Sequence, residues 1–407
     1  MYRSCVISVV LVIVLLLTGC GNRTELNGIG ITTATGVDGK QGNWTITYQV
    51  INPSAMSSSA GGGTGGASQS AVYTFSTHAK TIREAIDITS LENARKLYFA
   101  HNDVIIIGKQ SAEEGIAEVV DTYLRNSQSR ETVKLLIADG EAREYLKMLV
   151  PPEKLPGQAL SQILKESNQT GSFFPSKSIF EFALEISSDS GAVGIPEISL
   201  KGNDGSQLES IDIFKETSSK AKLKLSALSV FKADKRIGKL NQSESLGVSW
   251  LNNKVNSTTF SFEDKDSDMR LSTFWVRNAK VKVTPVKGPL HYSLNVKANV
   301  TGELVESNSQ EPIDKSEGMN NMQQQVEKVI ESQILAGWNA IQKLNIDLIG
   351  IANIIHRKHP KDWKNIKESW SEEFANMDIN IEVKVVIKRP GLFQKSFSNM
   401  LGKEKGK

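Results

Sequence analysis

Cysteine is the residue type that most restricts the chemistry open to this chain. The 407 residues include two cysteines, Cys5 and Cys20, and both lie among the first twenty positions. Beyond position 20 the sequence therefore has no disulfide, no cysteine-bound zinc and no cysteine nucleophile. Cys20 is the thiol in the more suggestive setting, since it directly follows Leu17, Thr18 and Gly19.

The residues around Cys20 are typical of a lipid-attachment signal. An aliphatic residue, two small residues and a cysteine resemble the bacterial lipobox, in which the thiol accepts a diacylglyceryl group before the chain is cut. The preceding apolar run, 6–17, has 12 residues, which is too short for a bilayer but suits a signal peptide. We predict that residues 1–19 are removed and that Cys20 carries the lipid. The alternative is a buried apolar helix with an incidental cysteine.

Two histidines near the C-terminus raise the question of a metal site. His356 and His359 lie three positions apart on an expected helix, a spacing that can hold zinc. Arg357 and Lys358 lie between them, Pro360 follows, and no third ligand is near in the sequence. The simpler interpretation is that one helix ends here and another begins with Pro360 at an early position. We predict neither a metal site nor a cofactor.

The sequence gives little support for acid–base or nucleophilic catalysis. It has five histidines and no Gly-x-Ser-x-Gly elbow around a serine. His101 stands at the entry to an expected strand, where a packed or hydrogen-bonded structural residue is the simpler interpretation. The adjacent pairs Glu113–Glu114 and Glu372–Glu373 point to different sides of a helix, and we interpret them as solvated. The protein is predicted not to be an enzyme.

Composition indicates an ordinary globular protein. The chain is 39% hydrophobic and 23% charged, with a formal net charge of +3, values close to those of average soluble domains. Nucleic-acid binding is not expected, because it usually shows as a strong basic excess. The length suits two or three domains.

Strands and helices are expected to alternate in the first half. Strands at 28–36 and 44–52 flank turn residues at 38–42 and predict a hairpin, and the Gly/Ser-rich stretch 53–70 predicts a flexible loop. Further strands are expected at 71–77, 103–108 and 132–138. Helices are expected at 81–93, 111–124 (with Ser111 as N-cap), 141–149, 158–166 and 178–186. This alternation is typical of a mixed α/β domain.

Strands precede helices in the second half. The Gly/Ser/Asp-rich stretch 189–219 predicts a boundary, and strands are expected at 221–232, 236–240, 258–262, 271–286, 291–304 and 379–387. A long helix is expected at 319–344, because apolar residues recur there at helical spacing. These residues are Met322, Val326, Val329, Ile330, Leu335, Trp338 and Ile341.

The predicted fold class is α+β, mixed α/β in the N-terminal half, with at least two domains behind a lipidated tether. The expected divisions are a signal peptide (1–19), an N-terminal domain (20–200), a C-terminal domain (201–390) and a basic tail (391–407). The tail either adds attraction to an anionic membrane or is merely a soluble terminus. Trp338, Trp363 and Trp370 are predicted as core rather than as a partner surface.

Short motifs in both halves resemble one family. In order, they are Glu25-Leu26-Asn27, Gly30-Ile31, Gly36-Val37-Asp38, the run 96–101, the run 104–108, the run 356–364, Trp370 and Phe374. Together with the lipobox they resemble the Ger(x)C lipoproteins of endospore-forming bacteria, the C subunits of spore germinant receptors. The resemblance covers nearly the whole mature chain. The sequence departs from the family pattern in two places. One is 21–24, where the family usually has aromatic and basic residues, and the other is 57–70, which looks like an insertion.

The resemblance implies a lipid-anchored, non-catalytic subunit of a nutrient germinant receptor, required for triggering spore germination. Its partners would be the membrane-embedded A and B subunits, on the outer face of the spore inner membrane. The first alternative is a substrate-binding lipoprotein of a membrane transporter, which needs two α/β lobes around a ligand cleft. The second is a lipid-anchored envelope hydrolase, which needs a nucleophile or metal constellation that the sequence does not offer.

Overall fold

The computed structural model describes residues 2–3, 28–57, 69–202, 204–263, 271–307 and 316–389. Its N-terminal half begins with strands β1 (Ile29–Lys40), β2 (Asn43–Ile51), β3 (Val72–Ala79), β4 (Lys96–Tyr98), β5 (Val104–Ile107), β6 (Lys134–Ala138) and β7 (Ala192–Lys201). Its helices are α1 (Pro53–Ser57), α2 (Ile82–Glu92), α3 (Lys109–Glu114), α4 (Ala117–Arg125), α5 (Ala142–Lys147), α6 (Pro156–Glu166) and α7 (Ile179–Ile186). The expected alternation of strands and helices is confirmed.

The predicted hairpin is formed by β1 and β2. The two strands pair antiparallel from Thr32 opposite Val50 to Lys40 opposite Asn43. Gly39 and Gly42 take positive φ angles of 93° and 83°, which glycine adopts without the steric cost of a Cβ atom. The predicted loop 53–70 is partly helical, because Pro53–Ser57 forms α1; residues 58–68 lie outside the described residues.

Strands β8 (Lys222–Lys232) and β9 (Lys235–Leu240) follow along the chain. In the described part of the chain, one large sheet has the strand order β3-β2-β1-β5-β6-β7-β8-β9, with β4 beside the start of β1. The central pairs β1/β5, β5/β6 and β6/β7 are parallel. Both faces of β5 and β6 are buried, as expected for parallel strands covered on both sides.

The sheet continues across position 200. Strand β7 lies within the predicted boundary stretch 189–219, and it pairs antiparallel with β8 from Ala192 opposite Lys232 to Lys201 opposite Lys222. The two strands join the segments before and after the predicted division in one hydrogen-bonded sheet. The division into domains 20–200 and 201–390 stays a prediction.

The C-terminal half is a smaller sheet with helices against it. Strands β10 (Thr258–Glu263), β11 (Leu271–Lys287), β12 (Tyr292–Ser307) and β13 (Asp378–Arg389) pair in that order, and β13 is parallel to β12. The helices are α8 (Gln242–Leu251), α9 (Ser316–Lys343), α10 (Ile351–Lys358), α11 (Pro360–Ile366) and α12 (Trp370–Ala375). The predicted α+β class is confirmed.

The long helix α9 covers the smaller sheet with an apolar stripe. Its buried positions include Met322, Val326, Ile330, Ile334, Trp338 and Ile341. Leu335 was predicted in the stripe but is 40% exposed, because Ile334 continues the four-residue spacing that keeps side chains on one face. Polar side chains of the helix also reach β13, where Glu327 accepts from Val385 N at 2.9 Å.

The predicted helix 111–124 is wrong in its start and its continuity. Ser111 lies inside α3 rather than at its N-cap, and its hydroxyl donates to the carbonyl of Gly39 at 2.7 Å. The chain breaks at Gly115, which has a φ of 127°. Asp234, from the β8–β9 turn, accepts from Ala117 N at 3.2 Å. A residue more than one hundred positions away in the sequence therefore caps the start of α4, which forms a separate helix.

Helices α8 and α9 cross with their backbones in contact. A Cβ atom on Gly247 would lie 2.6 Å from Gly337 Cα, closer than real Cβ contacts. Beside the crossing, the indole of Trp250 donates to Gln333 Oε1 at 2.9 Å. Since α8 follows the last strand of the large sheet and α9 covers the small sheet, this crossing joins the two halves.

We predict that Gly247→Ala lowers the free energy of unfolding by about 3 kcal/mol, because the added methyl forces two backbones apart. Urea unfolding of the purified protein measures the change. Gly140→Ala is the matched control, since a Cβ atom there meets open space, and it should leave stability almost unchanged. Equal stability of the two variants would contradict the close crossing.

Candidate functional site

The predicted lipid-attachment residues Leu17, Thr18, Gly19 and Cys20 lie outside the described residues, so their role stays a prediction. The tail 391–407 lies outside them as well. Within the described ranges, every helix is too short or too polar to cross a membrane. The remaining motifs can be placed in the fold.

The motif Gly36-Val37-Asp38 forms a joint with the end of β5 and the start of α5. The Asp38 carboxylate accepts from Ala142 N at 2.8 Å and from Arg143 N at 2.9 Å. Burial raises the pKa of Asp38, and these two backbone donors oppose the rise. Gly108 closes the joint, since a Cβ atom there would collide with Asp38 Oδ1. The carboxylate caps a helix whose free N–H groups need an acceptor.

The motif 96–101 covers the other end of β1. Strand β4 pairs in parallel with the first residues of β1, Ile29 opposite Lys96 and Ile31 opposite Tyr98. Leu97 is buried, whereas Lys96 is exposed. His101 is predicted to be a packed or hydrogen-bonded structural residue. It is exposed rather than packed, and its ring lies 5.9 Å from that of Tyr98. The motif therefore presents polar and aromatic side chains to solvent.

The motif 356–364 ties the C-terminal helices to the N-terminal half. His356 Nδ1 lies 2.7 Å from Asp189 Oδ2, and its ring stacks 5.9 Å from Trp363. Asp362 accepts from the Tyr292 hydroxyl at 2.9 Å. Burial and the neighbouring Asp362 raise the pKa of Tyr292 to about 12. These contacts are structural ties between elements far apart in the sequence.

The three tryptophans lie together, and two are core residues as predicted. Trp338 and Trp363 are buried, whereas Trp370 is half-buried. The rings of Trp363 and Trp370 are 5.3 Å apart, and Phe374 contacts Trp338 at 5.4 Å and Trp370 at 6.0 Å. The family landmark residues Trp370 and Phe374 therefore belong to one aromatic cluster under the C-terminal helices.

The prediction that Glu372–Glu373 is a solvated pair is wrong for Glu373. This residue is 8% exposed, and its carboxylate accepts from Tyr292 N at 2.6 Å and lies 2.9 Å from His291 Nδ1. The backbone N–H of Tyr292, at the start of β12, needs an acceptor, and the carboxylate of Glu373 is that acceptor. Among the described residues, no group of three histidine or acidic side chains is placed to hold a metal ion.

Two family models match the chain almost from end to end. The model described as the spore germination protein N-terminal domain matches residues 22–200, and the spore germination B3/GerAC-like C-terminal model matches residues 226–391. The chain belongs to the Ger(x)C family. The resemblance drawn from the motifs is thereby confirmed.

Individual Ger(x)C relatives align over most of their length. Spore germination protein KC of Bacillus subtilis (strain 168) is 27% identical over 398 residues, covering 96% of this chain and 97% of the relative. Spore germination protein B3 of the same organism is 22% identical over 387 residues, covering 92% and 95%. The crystal structure of the GerBC protein matches with a TM-score of 0.55 and 17% identity, over 87% of this chain and 96% of that one. This last likeness shows a shared fold.

This Ger(x)C chain also contains a buried ionic network that sequence reasoning missed. Glu197 on β7 is 1% exposed and accepts from Ser229 at 2.7 Å, Arg236 at 3.0 Å and Lys239 at 3.0 Å. Burial opposes ionisation, but these hydrogen bonds outweigh it and lower the pKa of Glu197. Arg236 also reaches Glu113 of α3 at 2.9 Å. A single glutamate in a strand gives no sequence signal of such a network.

We predict that Glu197→Gln lowers the free energy of unfolding by about 3 kcal/mol near neutral pH, because it leaves buried Arg236 partly uncompensated. The folded-state pKa of Glu197 lies below its unfolded value, so the carboxylate stabilises the fold fully above the unfolded pKa of about 4.3. That contribution is lost as the pH falls through the lower, folded pKa. Urea unfolding of both proteins over a range of acidic pH measures the effect.

The control for this variant is Glu368→Gln. The ion pair of Glu368 with Lys367 is solvent-exposed, and exposed pairs contribute little. The Glu197 variant should lose stability at neutral pH and approach the wild type in acid. If the free energy of unfolding of the Glu197 variant differed from that of the wild type by the same amount at every pH, the charge of Glu197 would not be the cause.

Proposed function

We propose that the protein is the lipid-anchored, non-catalytic C subunit of a nutrient germinant receptor on the outer face of the spore inner membrane. The observation that carries this proposal is the match of both family models, over residues 22–200 and 226–391. The named relatives are spore germination proteins. A lipid on Cys20 would confine the chain to two dimensions beside membrane-embedded A and B subunits, which raises their effective concentration without any new contact.

A non-catalytic role agrees with the use that the fold makes of its acids. Asp38 caps a helix, Glu373 accepts from a strand, and Glu197 neutralises an arginine. Each of these carboxylates has a structural hydrogen-bond partner, which supports a structural role for all three. The work of the subunit is then to contact other proteins and the membrane.

The alternative of a transporter-type substrate-binding lipoprotein is less well supported. That class closes two α/β lobes over a ligand. The described C-terminal half instead has a four-stranded sheet with a long antiparallel hairpin, covered by α9. The two halves also pack directly through the α8–α9 crossing rather than through a hinge over a cleft.

We predict that Cys20→Ala abolishes the germination response of spores to one class of nutrient and strongly lowers the amount of the protein in the inner-membrane fraction. Without the thiol the diacylglyceryl group has no attachment point. Germination against a panel of nutrients and subunit levels in purified membranes measure both effects.

Cys5→Ala is the matched control, because it changes the other cysteine of the chain and leaves the lipobox intact. Its spores should germinate as the wild type does. Retention of the Cys20 variant at the wild-type level in salt-washed membranes would disprove the anchor. A normal response after deletion of the whole gene, in a strain without a redundant receptor, would disprove the receptor assignment.

A further inference from the structure

The first strand of the fold begins a short distance from the proposed anchor. Gly28 is eight positions after Cys20, and the next residue, Ile29, already pairs with Lys96 of β4. An extended chain spans at most about 3.6 Å per residue, so β1 starts within about 30 Å of the lipidated residue. This step rests on the function proposed above: if Cys20 carries the lipid, the end of the sheet that holds Ile29 is close to the bilayer.

That end of the molecule exposes apolar and aromatic side chains. Leu91, in the last turn of α2, is 83% exposed, and Tyr73 on β3 is 43% exposed. The Tyr73 hydroxyl donates to Asn93 Oδ1 at 3.2 Å, just beyond the helix. Leucine together with tyrosine, whose ring is apolar and whose tip is polar, is typical of residues at a membrane–water interface.

A cleft of 640 Å³ opens beside these residues, between the end of α2, strand β4 and the segment after α4. Its charged lining residues are Arg83, Arg95, Lys96 and Asp87, a net positive set. Asp87 is already bound by Arg83 at 2.7 Å. Arg95 and Lys96 form no ion pair with any acid in the described ranges, so both are available to an anion.

One further donor lines the same cleft. The Asn93 side chain contributes to the lining, and its Nδ2 is buried with no acceptor among the described residues. Its Oδ1 already accepts from Tyr73 and from Arg95 N. The two cations at the mouth of this polar cleft suit the oxygens of a phosphate.

We infer that this end of the molecule rests on the membrane, with an anionic phospholipid headgroup in the cleft beside Arg95 and Lys96 and with Leu91 in the interfacial layer. The other end of β1, at the hairpin turn, is then directed away from the bilayer. The strand has 12 residues, which at about 3.3 Å each places the turn about 40 Å farther out. The motif 96–101 is the membrane-facing motif in this arrangement.

Single-cysteine labelling tests the orientation. After Cys20 the chain has no thiol, so a cysteine introduced by Leu91→Cys or Gln41→Cys can be labelled alone in the lipidated protein. Each labelled protein is bound to vesicles of phosphatidylcholine and phosphatidylglycerol that carry a quencher among the acyl chains. We expect the label at position 91 to be strongly quenched. The label at position 41, in the hairpin turn, should not be quenched.

Vesicle flotation separates failure of the anchor from failure of the orientation. A lipidated protein that does not float with the vesicles would overturn the proposed anchor. A protein that floats, but whose label at 91 is quenched no more than the label at 41, would overturn the orientation alone.

Charge variants test the headgroup cleft. In unlipidated protein that carries Cys20→Ala and lacks residues 1–19, Arg95→Gln and Lys96→Gln should each lower partition onto phosphatidylglycerol vesicles by about fivefold. The control is Lys222→Gln with Lys224→Gln, two exposed residues near the start of β8, at the opposite end of the sheet. Equal partition of the test and control variants onto phosphatidylglycerol vesicles would overturn the headgroup assignment. So would binding of the unsubstituted protein to pure phosphatidylcholine vesicles as strongly as to phosphatidylglycerol vesicles.

Discussion

The two halves of the molecule depend on the crossing of α8 and α9, where Gly247 and Gly337 bring two backbones together. No side chain larger than hydrogen fits at that point, so the large sheet, which leads into α8, and the small sheet, which α9 covers, share one core. Trp250 reinforces the crossing through Gln333. Because the contact joins segments ninety positions apart in sequence, neither half can shift without repacking the other.

Several buried acidic residues hold segments of the fold in register. Asp38 caps α5 and Asp347 accepts from Ile351 N and Ala352 N at the start of α10. Glu373 satisfies the first residue of β12. A buried carboxylate is costly unless it accepts hydrogen bonds, and here each one meets backbone donors that would otherwise lack a partner. These contacts give each of the three carboxylates a structural role.

The sequence predicts those parts of the structure that follow from local pattern. The β1–β2 hairpin, the alternation in the first half and the stripe of α9 are set by turn residues and by spacing along the chain. Helix α8 was missed, because its residues from Ser245 to Leu251 are all buried and a helix buried all round shows no amphipathic period. The break at Gly115 and the burial of Glu373 arise from residues far away in sequence, Asp234 and Tyr292. The lipid site is a local chemical signal and stays a prediction.

A lipid anchor alone limits how far a protein can move from the bilayer but does not fix its tilt. A second contact near the anchor would reduce the rotations that a short tether allows. In the arrangement inferred above, the exposed residues Lys96 and Leu91 provide that contact, since Lys96 pairs with Ile29 at the start of β1. Once tilt is fixed, a membrane-embedded partner always meets the same side of the molecule. The membrane has then already restricted the rotation of the protein, so less rotational entropy is lost when it associates with a partner. If the protein is the lipid-anchored receptor subunit proposed above, this is how it would assist its partners from the surface of the bilayer.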